Sequence, residues 1–569
     1  MRKHLFVLMS ALGMVSTSMA QATEPTATTS AVEPKYTNKC MALNKFSLTE
    51  VADVPGRVVW ASVAIEQETP EDSRLYYKKR GQVQGAPTPM LKVFPEHCSV
   101  EGYMTPNIKF MMHMPPPEKW NGRFLLAACE GWCGQLNEEA LMPGLARGYA
   151  VVTNDGGHYG AVGFDGVWAY NNVEARIDFA YRANHVVAQA GKALVKEFYG
   201  KPPKHSYIAG FSKGGTAGLV SAMRYPKDFD GIFAKAPVPY YQLTNTAHLP
   251  WLARAAYPDG ENAVMDSSKL PKVHDAVTKA CDKIDGLQDG IIDDPRKCDW
   301  DPVELLCEGP ETDMCLTQPQ VESLRKMYAP SIGEKGNVIF PWGTDRGSEP
   351  DWPEALYPNS PALAYTLDAS RTGLKYMVYR EARGSDFNWL DFDYEKSKDD
   401  FADMAEIYDA SNPDYSEFKK NGGKIIIVHG WGDALISPAA SIDWLENIEQ
   451  KMGGRKEVAD FIQLYTVPGL VHGSGGTGPY EFDALTELEK WVEKNERPTK
   501  IIVKDETEER RDLRTQWGEK LLWPTDIVMF DESQGTPYRE RPIYPYPLIS
   551  KYKGKGDPNV ASSYEPKKP

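Results

Sequence analysis

The run YIAGFSKGGTAGLVSAM, residues 207–223, predicts the fold of this 569-residue chain. Its first residues are apolar and typical of a strand, its last residues favour a helix, and Gly210 and Gly214 flank Ser212 at a distance of two. This is the pattern of a nucleophile elbow, a tight strand-to-helix turn that exposes a serine hydroxyl. Glycine lets the backbone pass through such a turn without a clash. The run therefore predicts an α/β sheet with Ser212 at the carboxyl end of a strand.

Further apolar runs on both sides of the elbow predict the other strands of that sheet, because strands buried on both faces read as continuous apolar stretches. They cover residues 124–128, 149–153, 205–209, 231–234, 424–429 and 461–467. Residues 173–198 carry apolar side chains at helical spacing and predict a helix that stops at Gly200. Strands that alternate with helices predict a mostly parallel, doubly wound α/β sheet.

The alternation of strands and helices disappears between residues 240 and 412, where Trp, Tyr, Pro, Asp and Cys are frequent, and it resumes at Gly423. A chain of this length exceeds one compact core. We therefore predict a lid domain at residues 240–412, inserted between two parts of one core at residues 40–239 and 413–569. The end of the chain, from about Tyr544, is rich in Pro, Gly and Lys and predicts an extended arm over the surface.

Residues 1–20 predict a secretory signal peptide, with a basic start, an apolar stretch too short to span a bilayer and small residues before the cleavage point. Residues 21–39, rich in Thr, Ala and Pro, predict a flexible leader. We expect an exported protein, periplasmic or secreted, without a membrane span. The net charge of −15 argues against a nucleic-acid partner, because phosphate binding needs clustered Lys and Arg.

The eight cysteines are expected to form disulfides, because an exported chain meets an oxidising compartment and no Cys-x-x-Cys pair has zinc-site spacing. Spacing alone does not fix the connectivity. The pairs that we expect are Cys40–Cys98, Cys129–Cys133, Cys281–Cys298 and Cys307–Cys315.

A serine nucleophile needs a base that takes its proton and a carboxylate that orients the base. The run KIIIVHGWGD, residues 424–433, is a strand ending in Asp433, and PGLVHGSGG, residues 468–476, delivers His472 into a glycine-rich loop. The order serine, acid, histidine is that of hydrolases with an elbow. His429 is the rival base, and the alternative for Asp433 is a solvated turn.

The oxyanion of an acyl transfer needs two hydrogen-bond donors. We expect the backbone N–H of Lys213, directly after the nucleophile, and that of Gly131 in the run CEGWCG, residues 129–134. Gly131 is preferred over Glu130.

An acidic run, CDKIDGLQDGIIDD at residues 281–294, predicts a calcium site, because oxygen ligands suit a hard cation and so many carboxylates repel one another without one. We expect side-chain ligands from Asp282, Asp285 and Asp289 and carbonyl ligands from Leu287 and Ile291. The alternative is a solvated acidic turn.

Together these segments resemble the tannase and feruloyl esterase family, including its bacterial relatives that hydrolyse mono(2-hydroxyethyl) terephthalate, over nearly the whole mature chain. The segments that carry the resemblance are residues 210–237, 281–298, 429–433 and 468–476. The resemblance implies an α/β-hydrolase core with an inserted lid, structural Ca²⁺ in that lid, and ester substrates with aromatic acyl groups. It also places Ser212, Asp433 and His472 on the triad and the five residues of the acidic run on the calcium ligands.

The chain departs from the family at two cysteines, which in most members join the residue before the nucleophile to the residue before the catalytic histidine. Phe211 and Val471 stand there, which predicts an apolar contact in place of the bridge. A second family pair, near the carboxyl end, is replaced at about Tyr544 and Pro566. Glu130 stands where glycine is common and is expected to narrow the pocket or add charge.

The leading hypothesis is therefore a serine carboxylic-ester hydrolase whose partner is a small aromatic ester such as a gallate or hydroxycinnamate. Alternatives are a hydrolase of terephthalate-type monoesters, a polyphenol- or carbohydrate-binding protein without turnover, and an exported peptidase. Four lid aromatics are candidates either for stacking on the substrate ring or for packing in the lid core: Trp342, Trp352, Tyr365 and Trp389.

Overall fold

The computed structural model describes residues 34–65, 67–68, 93–160, 164–357, 364–505 and 539–569. The expected signal peptide and most of the expected leader lie outside the described residues. The end of that leader belongs to the folded unit, since a helix begins at Thr37 and Tyr36 is buried, with its ring centroid 5.8 Å from that of Phe198. Among the described residues, no helix has the length and apolar character that a bilayer crossing requires.

Nine of the described strands form one sheet, in the order β1-β4-β5-β7-β6-β8-β9-β12-β13. The six strands from β7 to β13 in this order run parallel, whereas β1, β4 and β5 add an antiparallel edge. The strands are β1 (Gly56–Ala64), β2 (Gln67–Glu68), β3 (Val93–Phe94), β4 (His97–Met104), β5 (Ile108–Met114), β6 (Arg123–Ala127), β7 (Ala150–Asn154), β8 (His205–Phe211), β9 (Gly231–Lys235), β10 (Ser331–Ile332), β11 (Val338–Phe340), β12 (Lys424–Gly430), β13 (Ile462–Val467), β14 (Ile501–Lys504), β15 (Glu540–Ile543), β16 (Ile549–Tyr552) and β17 (Tyr564–Lys567).

Helices cover both faces of the parallel strands and build most of the inserted segment. The α-helices of the described residues are Thr37–Ala42, Met142–Ala146, Val173–Ile177, Ala183–Tyr199, Lys213–Arg224, Tyr241–Leu243, Leu249–Ala256, Leu270–Cys281, Gln318–Tyr328, Trp352–Ala355, Tyr365–Asp368, Leu374–Tyr376, Tyr394–Ser397, Ala402–Tyr408, Ser416–Lys420, Pro438–Lys451, Arg455–Val458 and Ala484–Lys494. Three π-helical turns, at Asp178–Arg182, Thr244–His248 and Ala369–Gly373, continue α-helices, and short 3₁₀ turns include Asp282–Asp285 and Glu349–Asp351.

Successive residues of the central strands enter two separate cores, one on each face of the sheet. On β12, Ile425 and Ile427 join the core beneath the helices Ala183–Tyr199 and Pro438–Lys451, whereas Ile426 and Val428 join the core beneath Ala484–Lys494. Both faces of the strand are therefore buried, which explains its unbroken apolar sequence.

The chain leaves the sheet at Lys235 and re-enters it at Lys424. The residues between form most of a further core, around side chains such as Leu252 and Trp352, which also takes in Phe179 and Leu435 from outside the insertion. The fold is that of an α/β-hydrolase with a large insertion, as the sequence predicts. The arm expected from Tyr544 is more regular than predicted, because β16 and β17 pair as an antiparallel hairpin.

A buried arginine fastens the lid to the core. Arg176 has 0% exposure and donates hydrogen bonds to the carbonyl of Ala169 and to the lid carbonyls of Tyr376, Tyr379 and Arg380. Burial lowers the pKa of its guanidinium. The four carbonyls compensate for that burial, because each supplies an acceptor to a charged donor.

We expect Arg176→Ala to lower the free energy of unfolding by about 3 kcal/mol, because it leaves these buried carbonyls without a donor. Urea denaturation at 25 °C measures the change. Arg380→Ala is the control, since that exposed side chain pairs with exposed Asp403 and should contribute little. Equal stabilities of the two variants would contradict the prediction.

Candidate active site

Ser212 occupies the turn between β8 and the helix Lys213–Arg224, with φ of 52° and ψ of −119°. Its backbone N–H donates to the carbonyl of Lys235 on β9, at 2.9 Å. The turn requires glycine before it, because a Cβ at Gly210 would lie 2.4 Å from the carbonyl carbon of Gly214. The positive φ of Ser212 is a strained conformation for a residue other than glycine. Such strain is found where the surrounding structure holds a functional side chain in place. The predicted elbow is therefore formed.

His472 and Asp433 lie next to Ser212. The Nε2 atom of His472 is 3.2 Å from Oγ of Ser212, and its Nδ1 atom is 2.7 Å from Oδ2 of Asp433. Asp433 follows β12 and His472 follows β13, so both loops leave the sheet at the carboxyl ends of adjacent parallel strands. The structure brings together all three residues that the sequence singles out for the triad.

Asp433 is enclosed by hydrogen-bond donors. Its Oδ1 accepts the backbone N–H groups of Leu435 and Ile436, at 3.0 and 2.8 Å, and the residue is 1% exposed. Burial alone would raise the pKa of Asp433, but His472 and His429 outweigh it and hold that pKa below its usual value. Burial likewise favours neutral His472, yet Asp433 outweighs it and raises the pKa of the imidazole.

The rival base, His429, orients the acid. It is fully buried near the end of β12, and its Nε2 atom lies 3.2 Å from Oδ2 of Asp433 and 3.0 Å from the carbonyl of Ile436. Two acceptors at Nε2 place the proton there, and Nδ1 accepts from the hydroxyl of Ser441, 2.9 Å away. In this position His429 supports the loop of Asp433.

A second carboxylate, from the lid, reaches the same two loops. Oδ2 of Asp351 accepts the backbone N–H of Ala434 at 3.0 Å and that of His472 at 3.3 Å. The sequence analysis missed this residue. No local pattern could have found it, because Asp351 lies 121 residues before His472 and binds backbone rather than a side chain.

Phe211, which directly precedes the nucleophile, packs beside the histidine. Its ring centroid lies 4.6 Å from that of His472, and a Cβ at Gly473 would lie 3.0 Å from the Phe211 ring. Val471, before the histidine, is 6% exposed. An apolar side chain therefore braces the imidazole directly.

The loop after β6, which the sequence assigns to the oxyanion site, packs against the elbow. A Cβ at Gly214 would lie 3.1 Å from the carbonyl oxygens of Ala128 and Cys129, so the two backbones nearly touch. Gly131 adopts φ of 55°, and the disulfide Cys129–Cys133 closes the loop around it. Lys213 is the first residue of its helix, so its backbone N–H has no acceptor within that helix.

The side chain of Lys213 turns toward the helix that packs behind the elbow. Its ammonium lies 4.6 Å from the ring centroid of Phe179, and burial lowers the pKa of that amine to about 7. Such a cation–π contact stabilises a buried ammonium.

The candidate lid aromatics have different surroundings. Trp352 and Trp389 are 0% and 5% exposed and pack in the lid core, which excludes Trp352 from a substrate ring in this arrangement. Tyr365 contacts Phe164 edge-on, and Phe164 contacts Trp132 of the oxyanion loop. Trp342 borders a cavity of about 390 Å³ between the lid and the helix Pro438–Lys451, which none of the triad residues lines.

The acidic run binds an arginine from β15. The guanidinium of Arg541 donates to Asp293 at 2.6 Å and to Asp289, and it also contacts the hydroxyl of Tyr564. Asp282 accepts the backbone N–H groups of Asp289 and Gly290, at 3.3 and 3.2 Å. In the described part of the chain, no three His, Cys, Asp or Glu side chains form a metal-binding group by themselves.

The donor set of this run nevertheless suits a hard cation. Burial, and then repulsion from neighbouring aspartates, raises the pKa of Asp285 to about 6. The carbonyls of Leu287 and Ile291 accept no backbone hydrogen bond from the described residues, which leaves both oxygens for another ligand. The single charge of Arg541 does not balance Asp282, Asp285, Asp289 and Asp293, all of which belong to this run.

All eight cysteines form disulfides, in the pairs Cys40–Cys98, Cys129–Cys133, Cys281–Cys298 and Cys307–Cys315 that the sequence analysis expects. Two of these bridges lie beside candidate sites: Cys129–Cys133 closes the oxyanion loop, and Cys281–Cys298 joins the start of the acidic run to a residue just beyond its end.

Comparison with known proteins finds the same relationship over most of the chain. The family model described as Tannase and feruloyl esterase matches residues 92–566. The mono(2-hydroxyethyl) terephthalate hydrolase of Piscinibacter sakaiensis is 30% identical, covering 83% of this chain and 84% of that protein. A probable feruloyl esterase of Arthroderma benhamiae is 31% identical, with coverages of 82% and 85%. The crystal structure of feruloyl esterase B from Aspergillus oryzae superposes with a TM-score of 0.74 at 24% identity, covering 94% of this chain and 100% of that one.

Proposed function

Because the chain belongs to the tannase and feruloyl esterase family, we propose that it hydrolyses esters of phenolic acids, such as gallates and hydroxycinnamates, on Ser212. Family membership makes it a carboxylic ester hydrolase that acts on esters of aromatic acids. The observation that carries the role of Ser212 is the continuous contact from its Oγ through His472 to Asp433, at 3.2 and 2.7 Å. Such a contact is what activates a serine hydroxyl near neutral pH.

The reaction passes through a covalent acyl-enzyme. Nε2 of His472 takes the proton of Ser212 as Oγ attacks the ester carbonyl carbon, and Asp433 stabilises the imidazolium that forms. The backbone N–H groups of Lys213 and Gly131 stabilise the oxyanion. His472 then gives its proton to the leaving alcohol, and a water activated by the same imidazole releases the acid.

A panel of esters tests the proposal and selects the acyl group. Purified protein is offered methyl gallate, methyl ferulate, methyl p-coumarate and mono(2-hydroxyethyl) terephthalate, and acid release is followed for wild type and Ser212→Ala. Release by wild type alone supports the proposal. The terephthalate ester is included because a relative is named for its hydrolysis. If no ester is hydrolysed, the proposal is wrong, and binding without turnover or cleavage of a peptide panel identifies the alternative.

We further propose export to an oxidising compartment, periplasmic or extracellular. The four disulfides support it, because such bridges persist where thiols are not kept reduced. Fractionation of the source cells, with antibody detection, tests it, and confinement to the cytoplasm would contradict it.

We also propose a structural Ca²⁺ in the acidic run, held by the side chains of Asp282, Asp285 and Asp289 and the carbonyls of Leu287 and Ile291. The oxygen-only donor set and the raised pKa of Asp285 support it, because a cation relieves the repulsion among the carboxylates. The ion would supply charge neutralisation and fix the loop between Cys281 and Cys298, without taking part in any step of the reaction.

Chelation is therefore expected to lower the Tm, and added Ca²⁺ to restore it. An ion present at 100 times its Kd contributes about 2.7 kcal/mol of stability. Scanning calorimetry with EDTA, then with CaCl₂ or MgCl₂, measures the shift, and elemental analysis measures bound metal. Asp285→Asn should lose the response to calcium. A Tm unaffected by chelation, in protein without bound calcium, would show that Arg541 alone neutralises the run.

A further inference from the structure

Asp351 belongs to the lid but binds the catalytic loops of the core. It ends the 3₁₀ turn Glu349–Asp351 and is 8% exposed. Its Oδ2 accepts N–H groups from Ala434, next to the acid, and from His472, the base itself. These residues follow β12 and β13 respectively, so one carboxylate joins the lid to both catalytic loops.

We propose that Asp351 is a positioning residue for the triad, whose carboxylate fixes the backbone of His472 against Asp433 by accepting the N–H groups of His472 and Ala434. The inference rests on the proposed function, since it assigns Asp351 a role in the same ester hydrolysis. It gives the lid a part in the chemistry, because a lid carboxylate binds both loops that carry the catalytic acid and base.

The turn that carries Asp351 is fixed independently of this contact. Glu349 accepts hydrogen bonds from the hydroxyl of Tyr328, at 2.7 Å, and from the backbone N–H of Gly347. The indole of Trp352 donates to Ser348 at 2.9 Å. The backbone of the turn is therefore held without the Asp351 side chain, and a substitution there tests the carboxylate rather than the lid fold.

The charges around His472 determine whether its pKa rises or falls when Asp351 is replaced. Burial, and then the charge of Asp433, raises the pKa of Asp351 to about 7, whereas His472 opposes that rise. An ionised Asp351 raises the pKa of His472, as Asp433 does, and Lys235 lowers it. Among the described residues, His429, His248 and Asp345 also face Asp433. Removing the charge of Asp351 therefore lowers the pKa of His472.

The test compares Asp351→Asn and Asp351→Ala with wild type in kcat/KM against pH. A base must be unprotonated to act, so the acid limb of the profile follows the pKa of His472. Asp351→Asn keeps an acceptor but loses the charge, and its acid limb should move down by about 0.5 to 1 pH unit. Asp351→Ala also leaves two buried N–H groups without an acceptor, and kcat should fall by about tenfold with KM unchanged.

Asp409→Asn is the matched control, because Asp409 is an equally buried lid carboxylate that accepts a backbone N–H, that of Gln242 at 2.7 Å, away from the triad. Its acid limb should coincide with that of wild type. If wild type hydrolyses esters but Asp351→Asn keeps the wild-type profile, the inference is overturned while the proposed function stands. If both Asp351 variants unfold well below the wild-type Tm, the role is structural and the inference is likewise overturned.

Discussion

Replacing Ser212 by alanine is expected to lower kcat for ester hydrolysis by about 10⁴- to 10⁶-fold and leave the fold unchanged. The loss follows because Oγ of Ser212 is the atom that attacks the carbonyl, and the neighbouring His472 has no other hydroxyl partner among the described residues. The residual rate measures what the oxyanion donors and substrate binding achieve without a nucleophile.

The fold should tolerate the change, because alanine keeps the Cβ that the strained turn already accommodates. The backbone N–H at this position still donates to the carbonyl of Lys235, and the helix still begins at Lys213. Calorimetry should therefore give a Tm close to that of wild type. Ser221→Ala, which removes a buried hydroxyl farther along the same helix, should retain full activity.

A fluorophosphonate probe separates chemistry from binding. Such a probe forms a covalent bond with an activated serine, so mass spectrometry should locate one adduct on the peptide that contains Ser212 and none in Ser212→Ala. Ester hydrolysis that survives in folded Ser212→Ala, or an adduct elsewhere, would refute the assignment.

The central sheet could be predicted closely because its strands are buried on both faces. The run at residues 231–234 became β9, Gly231–Lys235, and the run at residues 424–429 became β12, Lys424–Gly430. Such strands read as apolar without interruption. The antiparallel edge could not be found in this way, since β1 and β4 carry exposed side chains such as Trp60 and Tyr103 among buried ones.

The triad residues could be predicted from local sequence patterns, whereas the residues that support them could not. Ser212, Asp433 and His472 each follow an apolar run, so strand ends in the sequence pointed to them. Asp351 and Arg541 follow no such pattern. Arg541 reaches Asp293 across 248 residues of chain, and a contact of that kind depends on the packing of the lid rather than on any local periodicity.

The second large effect is expected at Asp433, where Asp433→Asn should lower kcat by about 10³- to 10⁴-fold with little change in KM. The surrounding donors decide how the new amide is oriented. Backbone N–H groups of Leu435 and Ile436 point at Oδ1, so the amide oxygen takes that place and the NH₂ group takes the place of Oδ2.

In that orientation the NH₂ group of the new side chain donates to Nδ1 of His472, where the carboxylate accepts a proton in wild type. The imidazole is then held as the tautomer with its proton on Nε2, which faces Ser212 and can no longer accept the hydroxyl proton. His429 meets the same conflict, because its Nε2–H would face a second donor. Steady-state kinetics at neutral pH measures the loss, with Asp409→Asn as the buried control. Activity within about tenfold of wild type would mean that another group orients His472, and Asp351, which already binds its backbone N–H, would be the first to examine.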